Sequence, residues 1–104
     1  MSEHELQNKI RLALSPYAVV FRINVGSGFT YDGRYLSTGV PKGYSDLSGF
    51  RKGDGKAFFI EVKTPKGRVS KEQKKFLKTM NEYGAITGVA RSVDDAIKIL
   101  REEL

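Results

Sequence analysis

The sequence predicts a sheet with flanking helices, of the α/β or α+β class. Three observations predict it. Ala57–Lys63 is a short apolar run bounded by turn residues, which reads as a buried strand. Helical patterns follow at residues 70–82 and 92–103, with a strand pattern at 85–90 between them. A strand–helix–strand series implies a parallel pair joined by a right-handed crossover.

Leu6, Ile10, Ala13 and Leu14 recur at helical spacing over residues 3–14, and Ser15-Pro16 ends that helix. Residues 18–25 alternate. Val19, Phe21, Ile23 and Val25 fall on one side, and Val20, Arg22 and Asn24 on the other, so the strand has one polar face. Thr30-Tyr31 and Arg34-Tyr35-Leu36 flank Asp32-Gly33, a hairpin signal. Residues 39–43 form a loop, Tyr44–Phe50 a short strand, and residues 52–56 a turn. After Ala57–Lys63 comes a loop at 64–69 containing Pro65 and Gly67. Phe76, Leu77 and Met80 mark the inner face of the second helix, and Gly84 stops it. Ser92 caps the last helix, whose inward residues are Val93, Ala96, Ile97 and Leu100. The expected order is α-β-β-β-β-α-β-α.

A chain of 104 residues is one domain, spanning residues 1–104, with room for one modest core. Phe21, Ile23, Val25, Phe58, Phe59, Ile60, Val62, Phe76, Leu77, Val89, Ile97 and Leu100 are the expected core formers. No apolar run reaches membrane-spanning length and no signal-peptide pattern opens the chain, so no membrane partner is expected. Cysteine is absent, which excludes disulfides, thiolate metal sites and a cysteine nucleophile, and fits a cytoplasmic protein. The single histidine, His4, excludes a His-rich zinc site.

The formal net charge is +6, and most of the excess is local. Lys63, Lys66, Arg68, Lys71, Lys74, Lys75 and Lys78 fall in one stretch whose single acid is Glu72. Such a cluster favours a nucleic-acid partner over a solvated face.

The most informative spacing is Asp46, then fourteen residues, then Glu61-Val62-Lys63. Side chains at i and i+2 of a strand share a face, so Glu61 and Lys63 emerge together. Two carboxylates converging with an ammonium suit metal-assisted phosphodiester hydrolysis. Carboxylates hold a hard divalent cation, and the ammonium meets the charge that grows at phosphorus. Glu3 adds a third acid on the apolar side of the first helix, whereas Glu5 lies opposite. Gln73 fits a capping box with Ser70, which accounts for it without catalysis, although a helix N-terminus facing the site also suits a phosphate. Arg22 and Asn24 on the first strand, and Lys42, Lys66 and Arg68 in the bracketing loops, are candidate phosphate contacts and equally natural surface residues. Lys74 in the basic helix joins them.

Five segments together resemble the VRR-NUC (virus-type replication-repair nuclease) family of the PD-(D/E)xK superfamily. They are Glu3-His4-Glu5-Leu6-Gln7, Phe21-Arg22-Ile23-Asn24-Val25-Gly26, Gly43-Tyr44-Ser45-Asp46-Leu47, Phe59-Ile60-Glu61-Val62-Lys63, and Gly67-Arg68-Val69-Ser70 followed by Gln73. They stand in the family's order from about residue 3 to 90 and are similar to its compact stand-alone phage and bacterial form. One departure is Ser45-Asp46, where the family usually has Pro-Asp.

The resemblance implies a restriction-endonuclease-like mixed sheet flanked by helices, and a Mg²⁺- or Mn²⁺-dependent DNA endonuclease. It implies Asp46, Glu61 and the Val62 carbonyl as metal ligands, with Glu3 holding a ligand or a water. It gives Lys63 the attacking water and the transition state, and makes Gln73 a motif residue beside them. It further implies a homodimer that cuts four-way junctions or other branched DNA in DNA repair, in a bacterial or phage-infected cell, without a small-molecule cofactor. The competing readings are a non-catalytic basic nucleic-acid-binding domain and a small basic structural protein.

Overall fold

The computed structural model describes residues 1–23, 27–29, 31–37 and 39–103. The elements are α1 (Glu3–Leu14), β1 (Ala18–Arg22), β2 (Ser27–Phe29), β3 (Tyr35–Ser37), β4 (Leu47–Arg51), β5 (Ala57–Val62), α2 (Lys71–Glu82), β6 (Ile86–Ala90) and α3 (Val93–Leu100). Four strands make a mixed sheet in the order β1-β4-β5-β6. β1, β4 and β5 pair antiparallel, and β5 and β6 pair parallel, as the strand–helix–strand pattern requires. Among the described residues no helix is long and apolar enough to cross a membrane.

Alternation along β5 organises both sides of the sheet. Phe58, Ile60 and Val62 are fully buried and join Leu6, Ile10 and Leu14 of α1 and Ala96, Ile99 and Leu100 of α3 in the main core. Phe59 packs from the opposite face against Tyr44 and against Phe76 of α2, with ring centroids 5.8 and 5.4 Å away. Glu61 shares the strand face of Phe59, so the alternation that builds two cores also sets one carboxylate beside α2.

Three expectations need correction. First, β1 presents the opposite face to the core. Val20 packs against the main cluster, while Phe21 is 50% exposed. Alternation tells which residues share a face but not which face a helix will cover. Here α1 covers the side of Val20 and Arg22. Second, the hairpin supplies two short strands in a sheet of their own, so five strands precede α2 rather than four. Its last paired residues are Phe29 and Tyr35, which places Asp32-Gly33 inside a longer loop. Third, the strand expected at Tyr44–Phe50 begins only at Leu47. Tyr44 N–H donates to the Pro41 carbonyl in a turn, and the buried Ser45 hydroxyl donates to the Leu47 carbonyl. Asp46 therefore sits in the entry to the strand, where its side chain is free to turn toward β5. Asn24 and Val25 lie outside the described residues.

Candidate active site

Three elements bring the acids together. Glu3 comes from the first turn of α1, Asp46 from the entry to β4, and Glu61 from the end of β5. One carboxylate oxygen of each lies within 4.8 Å of the others. Glu3 is half-buried and faces the cluster. Glu5 is exposed, and its N–H donates to Ser2 Oγ, the cap of α1, at 3.1 Å. Asp46 bridges two neighbouring strands: its Oδ2 accepts from Val62 N–H at 2.9 Å, and its carbonyl accepts from Ile23 N–H at 3.1 Å.

Glu61 is the most constrained of the three. It is 1% exposed. Its Oε1 accepts from Gln73 Nε2 at 3.0 Å, and its buried Oε2 has no hydrogen-bond donor among the described residues. Burial pushes its pKa well above the usual carboxylate range. Hydrogen bonding to the Asp46 carboxyl and the Asp46 charge push the same way, Lys63 opposes, and Glu3 adds a little. A bare oxygen in this position calls for a shared proton or a cation. Three convergent carboxylates are hard oxygen donors of the kind that a divalent cation takes.

Gln73 performs two tasks at once. Its Oε1 accepts from Ser70 N–H at 2.8 Å while Ser70 Oγ accepts from Gln73 N–H at 3.1 Å, completing the capping box of α2. The other end of the same amide holds Glu61. Replacing Ser70 by Ala should cost about 1 kcal/mol, a fall in melting temperature of about 5 °C by thermal denaturation. It should also leave Gln73 less firmly aimed.

The basic candidates divide. Arg22 lies beside the acids with its guanidinium directed to α1. Its Nε donates to Gln7 Oε1 at 3.1 Å, and its Nη2 lies 3.1 Å from His4 Nδ1. A cavity of about 300 Å³ next to Asp46 and Gln73 is lined by Gln7, Arg22, Lys42 and Ser70 among others. Lys42 forms an exposed ion pair with Glu72 at 3.7 Å, at the start of α2. Lys66, Arg68 and Lys74 are exposed around the same end of the sheet, and Lys63 is half-buried directly after β5. Asn24 is outside the described residues. Sequence reasoning gave no role to Gln7, which is buried and holds Arg22. The available signal was its spacing: Gln7 is one helical turn after Glu3 and on its face.

A family model described as the VRR-NUC domain matches residues 33–94, a span that includes Asp46, Glu61, Lys63 and Gln73. The chain belongs to the VRR-NUC family. Membership makes this a nuclease domain. The match starts after α1 and β1, so Glu3, Gln7 and Arg22 enter this VRR-NUC site on geometry rather than on the match. No curated protein sequence matches the chain.

Proposed function

We propose that this VRR-NUC chain is a Mg²⁺- or Mn²⁺-dependent DNA endonuclease acting on branched DNA, such as a four-way junction, as a homodimer. The observation that carries the metal-dependent reading is Glu61, a carboxylate buried to 1% exposure, one of whose oxygens has no donor among the described residues, set against two further carboxylates. Asp46, Glu61, Glu3 and the Val62 carbonyl would hold the cation. When bound, it supplies a more acidic water and neutralises charge on the phosphoryl oxygens.

The remaining steps belong to the chain's own groups. Gln73 fixes the rotamer of Glu61 through Nε2, so the carboxylate needs no reorganisation. Lys63 orients the attacking water and offers an ammonium to the charge that develops at phosphorus. Water gives up a proton to solvent and its oxygen bonds to phosphorus as the bond to the leaving sugar oxygen breaks; that oxygen takes a proton from solvent, giving one phosphate end and one hydroxyl end. Arg22 and Lys42, which line the cavity beside Asp46, and Lys66, Arg68 and Lys74 would take neighbouring phosphates, with Asn24 as a further candidate. A two-fold dimer would offer two such sites to a two-fold junction.

The test is cleavage of labelled four-way junction, flap, single-stranded and plain duplex DNA in Mn²⁺, Mg²⁺ or EDTA. The expected result is cutting of branched substrates in either metal and none in EDTA, with the protein eluting as a dimer in sizing. Binding without cutting in both metals would overturn the nuclease reading and leave a basic DNA-binding module. Equal cutting of all four substrates would remove the branched-DNA preference alone.

A further inference from the structure

We propose that Arg91 is a positioning residue for Lys63, acting through the Thr64–Gly67 turn. The inference rests on the nuclease reading above and names a residue which that reading does not use. Arg91 follows β6 directly, and the ends of β5 and β6 are tied together where Lys63 N–H donates to the Ala90 carbonyl at 3.1 Å. Its Nη1 donates to the Thr64 carbonyl at 2.7 Å, to the Gly67 carbonyl at 2.8 Å and to the Pro65 carbonyl at 3.4 Å. Those carbonyls belong to one turn, closed by Gly67 N–H donating to the Thr64 carbonyl at 2.9 Å.

The turn lies along the Lys63 stem. A Cβ placed on Gly67 would stand 3.4 Å from both Cβ and Cδ of Lys63. A single guanidinium thus holds the first and last carbonyls of the segment against which the Lys63 side chain rests. The anchor is itself fixed. Arg91 N–H donates to Asp95 Oδ2 at 2.9 Å, and Asp95 N–H donates to the Ser92 hydroxyl at 3.0 Å. A lysine just before a loose turn could rotate freely. With the turn clamped, the stem loses that freedom before substrate arrives, which is how a group remote from the reacting atoms can set the position of one that touches them. Arginine suits the task because its planar, always-charged donors reach several carbonyls in fixed directions, whereas an ammonium is a point charge on a flexible stem.

The experiment compares wild type, Arg91→Ala and Arg91→Lys in two readouts. The first is steady-state cleavage of labelled branched DNA in Mn²⁺. Arg91→Ala is expected to lower kcat about 10- to 100-fold while KM stays within about threefold, and Arg91→Lys to recover part of the loss. The second is trypsin cleavage after Lys63 and Lys66, well below the melting temperature. It is expected to accelerate in Arg91→Ala because the turn opens locally. Unchanged kcat in Arg91→Ala, a loss confined to KM, or no change in trypsin cleavage would overturn the proposal. If Arg91→Ala does not fold, Arg91→Lys decides: a reduced kcat supports the clamp, and wild-type kcat overturns it. A wild type that cuts no DNA would instead overturn the nuclease reading, and the trypsin comparison would still decide whether Arg91 clamps the turn.

Discussion

Replacing Glu61 by Gln is expected to abolish most cleavage while making the metal-free protein more stable at neutral pH. The two effects share one cause. Folding removes the Glu61 carboxyl from water, brings it against Asp46 and leaves Oε2 without a donor among the described residues. Its folded pKa is raised above the unfolded value near 4.5. A raised carboxyl pKa means the folded state binds more protons than the unfolded state between the two values, so stability falls as pH rises through that window. Below about pH 4.5 Glu61 imposes no penalty, and at pH 7.5 it imposes most of it. The amide of the Glu61→Gln variant does not titrate, so the variant's stability should vary less over this range.

The penalty of an unsatisfied buried polar group is about 1–3 kcal/mol. Melting in EDTA at pH 7.5 should therefore place the variant about 5–15 °C above wild type, with a smaller gap at pH 5. Mn²⁺ or Mg²⁺ should raise the wild-type melting temperature by binding the folded state alone, and should do so far less for Glu61→Gln. Cleavage should fall by about 10²–10³-fold or more. An equal or lower melting temperature for the variant in EDTA at pH 7.5 would show that Glu61 is not under strain from desolvation, and would weaken the case for a cation there.

Much of this site could be read from the chain, for reasons that particular residues make clear. Ala57–Ile60 is apolar on both faces, so the strand was legible from its composition and length, and the face shared by Phe59 and Glu61 followed from period-two geometry. The Ser70–Gln73 capping box is a local pattern and formed as expected. The helical wheel favoured Glu3 over Glu5, and Glu3 is the one beside Asp46 and Glu61. What stayed hidden is long-range. Phe21 looked like core because its neighbours alternate, but its side chain is left half-exposed, while Val20 on the other face meets the core. Arg22 reads as a solvent-facing cation, yet Gln7 and His4, 15 and 18 residues earlier, hold it. Arg91 gives no local signal, because its partners are backbone carbonyls 24 to 27 residues upstream, and carbonyls carry no sequence information.

Gly49→Ala is expected to remove a large part of the protein's stability, although it adds one methyl group. Gly49 lies in β4, between Val20 of β1 and Phe58 of β5. Its φ of 153° is one that side-chain-bearing residues rarely adopt, and a Cβ there would overlap the Val19 carbonyl oxygen and stand 3.1 Å from the Phe58 ring. The obstacle is backbone on one side and a fully buried ring on the other, so neither can swing aside. Relief requires β1 to separate from β4, which breaks the ladder from Ala18–Arg51 to Arg22–Leu47. Overpacking of this kind costs about 3 kcal/mol, and strain at the backbone adds about 1–3 kcal/mol more, against a total of roughly 5–15 kcal/mol for a small domain. Urea denaturation should show the midpoint collapsing. Gly53→Ala is the matched control, because a Cβ there meets nothing within 4 Å, and it should stay within about 0.5 kcal/mol of wild type. The consequence reaches the site, since the β1–β4 ladder carries Arg22 to Gln7 and the entry to β4 carries Asp46 to Val62. A Gly49→Ala protein with a wild-type urea midpoint would mean that β1 can move away from β4 without loss. In that case the register of this pair would not be what holds Arg22 beside the three acids.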